Sequence, residues 1–72
     1  MAEKTVSELI SIVRAGGGLT VKAAEHTVDD LLPIARAASE SGAYIRISGA
    51  LHWKAKDLVR LAEIGRGHVS FD

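Results

Sequence analysis

Residues 27–50 read TVDDLLPIARAASESGAYIRISGA, and this stretch decides the fold. Leu31, Leu32, Ile34 and Ala35 recur at helical spacing and make a wide apolar stripe, at about 100° per residue. Ser41-Gly42 ends the helix, glycine being suited to the left-handed conformation that closes one. Tyr44-Ile45-Arg46-Ile47-Ser48 then alternates polar and apolar, as a strand with one buried face does. The segment is a helix, a glycine turn and a strand.

Shorter copies flank it. Residues 5–14 (TVSELISIVR), 27–36 (TVDDLLPIAR) and 54–63 (KAKDLVRLAE) superimpose when Leu9, Leu31 and Leu58 are aligned. An acid precedes each leucine: Glu8, Asp30 and Asp57. Apolar residues follow one, three and four places later: Ile10, Ile12 and Val13; Leu32, Ile34 and Ala35; Val59, Leu61 and Ala62. The repeat predicts three equivalent helices in units 5–23, 27–50 and 54–72 of a single domain, 1–72. The middle helix extends about one turn further, through Ala37 to Glu40.

Thr5 with Glu8, and Thr27 with Asp30, match the capping box, in which hydroxyl and carboxylate answer each other's backbone N–H. Lys54 stands where the third threonine is expected, which leaves Asp57 as the candidate cap. Pro33 lies deep for a helix capped at Thr27 and removes a hydrogen bond. A start nearer Asp29, or a bend, is the expected relief. Gly16-Gly17-Gly18 and Gly65-Arg66-Gly67 close the outer helices, ahead of strands at 19–22 and 68–71.

Strands separated by helices pair in parallel through crossovers. A strand buried on both faces is apolar throughout, whereas these alternate. Leu19, Val21, Ile45, Ile47, Val69 and Phe71 point one way; Thr20, Lys22, Tyr44, Arg46, Ser48, His68 and Ser70 point the other. The expected fold is therefore α/β: a three-stranded parallel sheet of order 1-2-3, three helices on one face, the other face open.

The segment IRISGALHWKAKDLVRLA, residues 45–62, resembles the strand, turn and helix of long leucine-rich repeats, a family of α/β solenoids. The resemblance extends over residues 19–72 and is one of architecture. Such repeats carry an asparagine or cysteine after the strand, and this chain has neither. The resemblance implies that ligands meet the open sheet face.

Composition bounds the chemistry. Nine Lys and Arg balance nine Asp and Glu, so a nucleic-acid partner, which usually calls for a basic excess, is disfavoured. Without cysteine there is neither a disulfide nor a thiolate metal site. No apolar run reaches membrane-spanning length, and the opening MAEKTVSELI is polar and helical in pattern rather than a leader. A soluble cytoplasmic protein without a membrane partner is the expectation.

The triple glycine follows a helix and precedes a strand, the reverse of a phosphate loop, so it presents carbonyls where an anion needs N–H groups. His26, His52 and His68 lack the spacing that brings two ligands onto one helix face. Ser48, Ser70 and His68 share a face without a nucleophile elbow. Asp29, Asp30 and Glu40 suit helix capping and a solvated surface. No catalytic residue, metal ligand or cofactor is expected.

What remains is the open face, with rows Gly18-Tyr44-His68, Thr20-Arg46-Ser70 and Lys22-Ser48-Asp72. Tyrosine and arginine are enriched at binding hot spots. Lys22, Tyr44, Arg46, Ser48, His68 and Ser70 are accordingly the candidate partner-binding residues, with Trp53 as core cover or subunit anchor. Short strand edges, zero net charge and a small core favour a homo-oligomer. Leu51, Ile64 and Ile12 are candidates for leftover apolar surface. The expected function is a non-enzymatic protein-interaction or self-associating scaffold module. The alternative is a module that binds a small ligand or nucleic acid on the mildly basic face.

Overall fold

A computed structural model describes residues 5–72. The first four residues, and with them the start of the polar opening segment, lie outside the described part. The order is α1 (Val6–Arg14), β1 (Leu19–Lys22), α2 (Val28–Ser41), β2 (Ile45–Ser48), α3 (Ala55–Gly65) and β3 (Val69–Phe71). The strands form one parallel sheet in the order β1-β2-β3, as the alternation predicts. Its register is Leu19↔Ile45↔Val69, Thr20↔Arg46↔Ser70 and Val21↔Ile47↔Phe71, with Lys22 opposite Ser48.

The core lies between the sheet and the helices. Leu9, Val13, Val21, Leu31, Ile34, Ile45, Ile47 and Leu61 are buried in one cluster, while Thr20, Lys22, Arg46 and Ser70 on the opposite face are exposed. α2 sits centrally and packs against both α1 and α3. Its small residues Ala35, Ala37 and Ala38 are buried, so three helices fit over a sheet only three strands wide.

Both capping boxes form. Thr5 Oγ1 accepts the Glu8 N–H at 3.2 Å, and Glu8 Oε1 accepts the Thr5 N–H at 2.9 Å. Thr27 and Asp30 repeat this at 3.2 and 3.5 Å, the longer leg reflecting the shorter aspartate side chain.

Four local expectations are corrected. α2 begins at Val28 under Thr27 rather than nearer Asp29, and the exposed Pro33 lies inside it. The N-cap of α3, Lys54, makes no side-chain cap hydrogen bond, and Asp57 is simply an acid in the first turn. Gly42 closes α2 in the left-handed conformation, but α3 runs on through Gly65 and Arg66 takes the left-handed position at φ 50°. Tight packing demands the glycine one place earlier: a Cβ on Gly65 would overlap Val69 Cγ2. Finally, Val59 and Ala62, expected in the apolar stripe of α3, are exposed, and the buried side of that helix is carried by Leu61 with half-buried Leu58 and Ile64.

A short 3-10 turn, Ala23–Glu25, follows β1 and buries Ala23; it has no counterpart in the other units and repeat analysis misses it. Ser41 supplies a tie between helices. Its hydroxyl donates to the Val13 carbonyl at 2.6 Å, across the α1–α2 contact, and accepts the Ala43 N–H at 3.3 Å. Ser41→Ala leaves the N–H of buried Ala43 without this partner and is expected to cost about 1–2 kcal/mol in chemical denaturation. Ser41→Thr, which keeps the hydroxyl, is expected to recover most of that loss.

Candidate functional site

The open sheet face is built by the side chains that alternate away from the core. Thr20, Arg46 and Ser70 stand in one row across the three strands, as the register requires. Tyr44 and His68 lie one residue ahead of β2 and β3, yet their carbonyls already carry the ladder: Leu19 N–H donates to Tyr44 O at 3.1 Å, and Ile45 N–H to His68 O at 2.8 Å. Helix-to-strand turns therefore present both rings at the same end of the face.

Their rings are 4.9 Å apart between centroids and tilted by 32°, an offset contact of the kind aromatic groups favour. His68 is half-buried, and its Nδ1 is 3.0 Å from the Ala43 carbonyl oxygen. A carbonyl only accepts, so Nδ1 carries the proton and donates, which fixes the ring and leaves Nε2 as the remaining polar atom. The Tyr44 ring lies against this anchored histidine. Tyr44 itself is 67% exposed.

Arg46 Nε reaches Asp72 Oδ2 at 3.6 Å, and both side chains are largely exposed. Such a pair is worth roughly 0–1 kcal/mol. It nonetheless lowers the positive character that Arg46 lends the face. A shallow depression of about 300 Å³, lined by Gly18, Thr20, Tyr44, Arg46 and Ser70 among others, runs across the strands. At Gly18 a Cβ would make a tight contact, 3.1 Å from the Tyr44 carbonyl oxygen.

Lys22, Tyr44, Arg46, Ser48, His68 and Ser70 thus share one surface, although Ser48 and His68 are half-buried. Trp53 is separate from them. It packs half-buried against the apolar core and meets the His52 ring at a centroid distance of 6.3 Å. Leu51, beside it, is 67% exposed, whereas Ile12 and Ile64 are half-buried.

A second, larger depression of about 560 Å³ lies between α2 and α3, lined by Arg36, Ser39, Glu40, Glu63, Ile64 and Arg66. Sequence reading does not find it, because helix packing alone brings together charges more than twenty residues apart. Its mixed signs fit a solvated groove. Among the described residues no three His, Asp or Glu side chains gather in a metal-binding group, and no helix is long and apolar enough to cross a membrane.

Fold and surface together define a class: an α/β domain of three helices and an open, all-parallel three-stranded sheet in sequential order. No protein-family model, curated protein or solved structure matches the chain.

Proposed function

We propose that the protein is a small non-enzymatic interaction module that binds a protein segment on its open sheet face, centred on Tyr44. The observation that carries this reading is the exposed Tyr44 ring, held against a His68 that is itself anchored to the Ala43 carbonyl. An aromatic side chain pre-positioned in this way loses little conformational freedom on binding, which is what makes tyrosine an effective contact residue. Arg46 beside it suits a partner carrying a carboxylate that competes with Asp72. A sheet only three strands wide and bare on one side, with a shallow depression across it, offers room for an extended or helical segment.

Selection of a random displayed peptide library against the immobilised protein tests this. Enriched peptides are expected to share acidic and apolar positions, and Tyr44→Ala is expected to weaken them by about tenfold or more. Enrichment that is indifferent to Tyr44 and Arg46 would remove the open face from consideration. A single-stranded oligonucleotide serves as the contrasting probe. Tight binding that falls steeply with salt, and is lost in Lys22→Glu/Arg46→Glu, would favour the nucleic-acid reading instead.

A further inference from the structure

The three helices repeat one another, so every position has internal controls. Val13 and Ala35 are equivalent and both are buried, but Ala62, at the same position of α3, is exposed. Ile10 and Leu32 are half-buried, whereas Val59 at their position is 54% exposed. The opposite flank of α1 shows the mirror effect. Ile34 and Leu61 are buried while Ile12 is only half-buried; Ala37 is buried and Ile64 packs against the core while Ala15 is exposed. In the sheet the effect is clearest at β3, where Val69 and Phe71 are only half-buried against buried Ile45 and Ile47; on β1, Leu19 is half-buried and Val21 buried.

These are the losses expected of end units without a neighbour. Solenoid ends are ordinarily capped by a polar outer face. Here the end positions keep the apolar residues of the interior ones: Val59 and Ala62 on one flank, Ile12 and Ala15 on the other.

The backbone shows the same incompleteness. Leu19 N–H donates to the Tyr44 carbonyl of the next strand, and Ile45 N–H donates to the His68 carbonyl of the one after. Val69 is the third member of this series, and by the alternation of a parallel ladder its N–H points to the open edge of β3. The carbonyl that continues the series is that of Gly18 at the open edge of β1. In the same register Asp72 would stand opposite Lys22, an acid against a base.

We propose that a second copy of the chain docks its α1–β1 end against the α3–β3 end of the first, so that the α/β repeat continues head to tail. This deepens the interaction-module reading, on which it rests, by naming one partner as the chain itself. The contact is heterologous and leaves a free end of each kind, so assembly is open-ended unless the rotation closes a ring. The competing arrangement, a two-fold dimer through paired β3 edges, makes no use of the α1–β1 end.

The test is complementation between end-blocked variants, read by light scattering. Val59→Glu/Ala62→Glu blocks the α3–β3 end, and Ala15→Glu/Lys22→Glu blocks the α1–β1 end. All four side chains are exposed, so both variants are expected to fold, as circular dichroism checks. The single substitutions Val59→Glu and Lys22→Glu take their place if either double variant does not fold. Wild-type mass is expected to rise with concentration, each variant alone to stay monomeric, and their equimolar mixture to form a one-to-one dimer. A wild-type monomer throughout, a mixture that stays monomeric, or an α1–β1-blocked variant that dimerises alone would each overturn the proposal. Peptide binding dependent on Tyr44 is read separately, so failure of self-assembly is distinguishable from failure of the open-face reading.

Discussion

Leu61→Ala is expected to cost about 2–5 kcal/mol, the range for deleting a buried leucine side chain down to its Cβ. A chain of this size has on the order of 4–10 kcal/mol of stability in all, so the substitution removes a large share of it. The reason is specific to α3. Leu61 is the only large side chain of that helix that is fully buried; its other buried residue is Gly65. Leu58 and Ile64 are partly covered, Val59 and Ala62 are exposed, and no side chain caps the N-terminus. With Leu61 truncated, α3 is held to the core chiefly by the partly covered Leu58 and Ile64. Urea denaturation is expected to show a large fall in midpoint, whereas Val59→Ala on the outer side of the same helix should move stability within about 0.5 kcal/mol. Comparable losses from the two substitutions would show that α3 packs by a different face.

Gly65→Ala is the second large effect, and its sign runs against local preference. Within a helix, alanine is favoured over glycine by about 1 kcal/mol. At this position, however, the new methyl would overlap Val69 Cγ2 and stand 3.1 Å from Val69 Cβ, with Ala35 Cβ at 3.9 Å. The α3–β3 turn closes here, with His68 N–H donating to the Gly65 carbonyl at 2.9 Å, so neither strand nor helix can withdraw freely. Overpacking of this kind costs typically 1–3 kcal/mol, and a net destabilisation of about 2 kcal/mol is expected. Val69→Ala supplies the diagnostic. In that background both γ-carbons are gone and only the tight contact with the remaining Cβ is left, so Gly65→Ala is expected to lose most of its cost, giving a coupling of about 1–2 kcal/mol in a double-mutant cycle. Additive losses would place the cost in the backbone and not in the Gly65–Val69 contact.

Much of the fold was legible because it is written three times. The leucine-anchored helix stripe, the following glycine and the alternating strand recur in each unit, and this periodicity is enough to predict a parallel, one-sided sheet in sequential order. The first two N-caps were legible for another reason: a capping box spans only three residues, so the sequence holds both partners. Thr20, Arg46 and Ser70 fell into one row because a strand period of two leaves no freedom once the register is set.

The misreadings share a cause. Val59 and Ala62 obey the same pattern as Val13 and Ala35, but burial depends on whether another helix lies alongside, and position in the chain decides that. The start of α2 was misjudged because the Thr27–Asp30 capping box fixes it, and the helix carries Pro33 on its exposed side. Gly65 was assigned to the wrong place because the choice between a left-handed cap and a close approach depends on where β3 lies.

By itself, then, the sequence determined the element order, the two threonine capping boxes, the sheet order and the division of strand residues between core and open face. These follow from local periodicity and short-range hydrogen bonds. Tertiary structure alone decided the anchoring of His68 to the Ala43 carbonyl, the Ser41–Val13 tie, the Arg46–Asp72 pair and the uncovered flanks of the end helices. The anchoring and the tie each join residues more than twenty positions apart, and the uncovered flanks are set by which neighbours a unit has. A repeat pattern, identical from unit to unit, does not encode either.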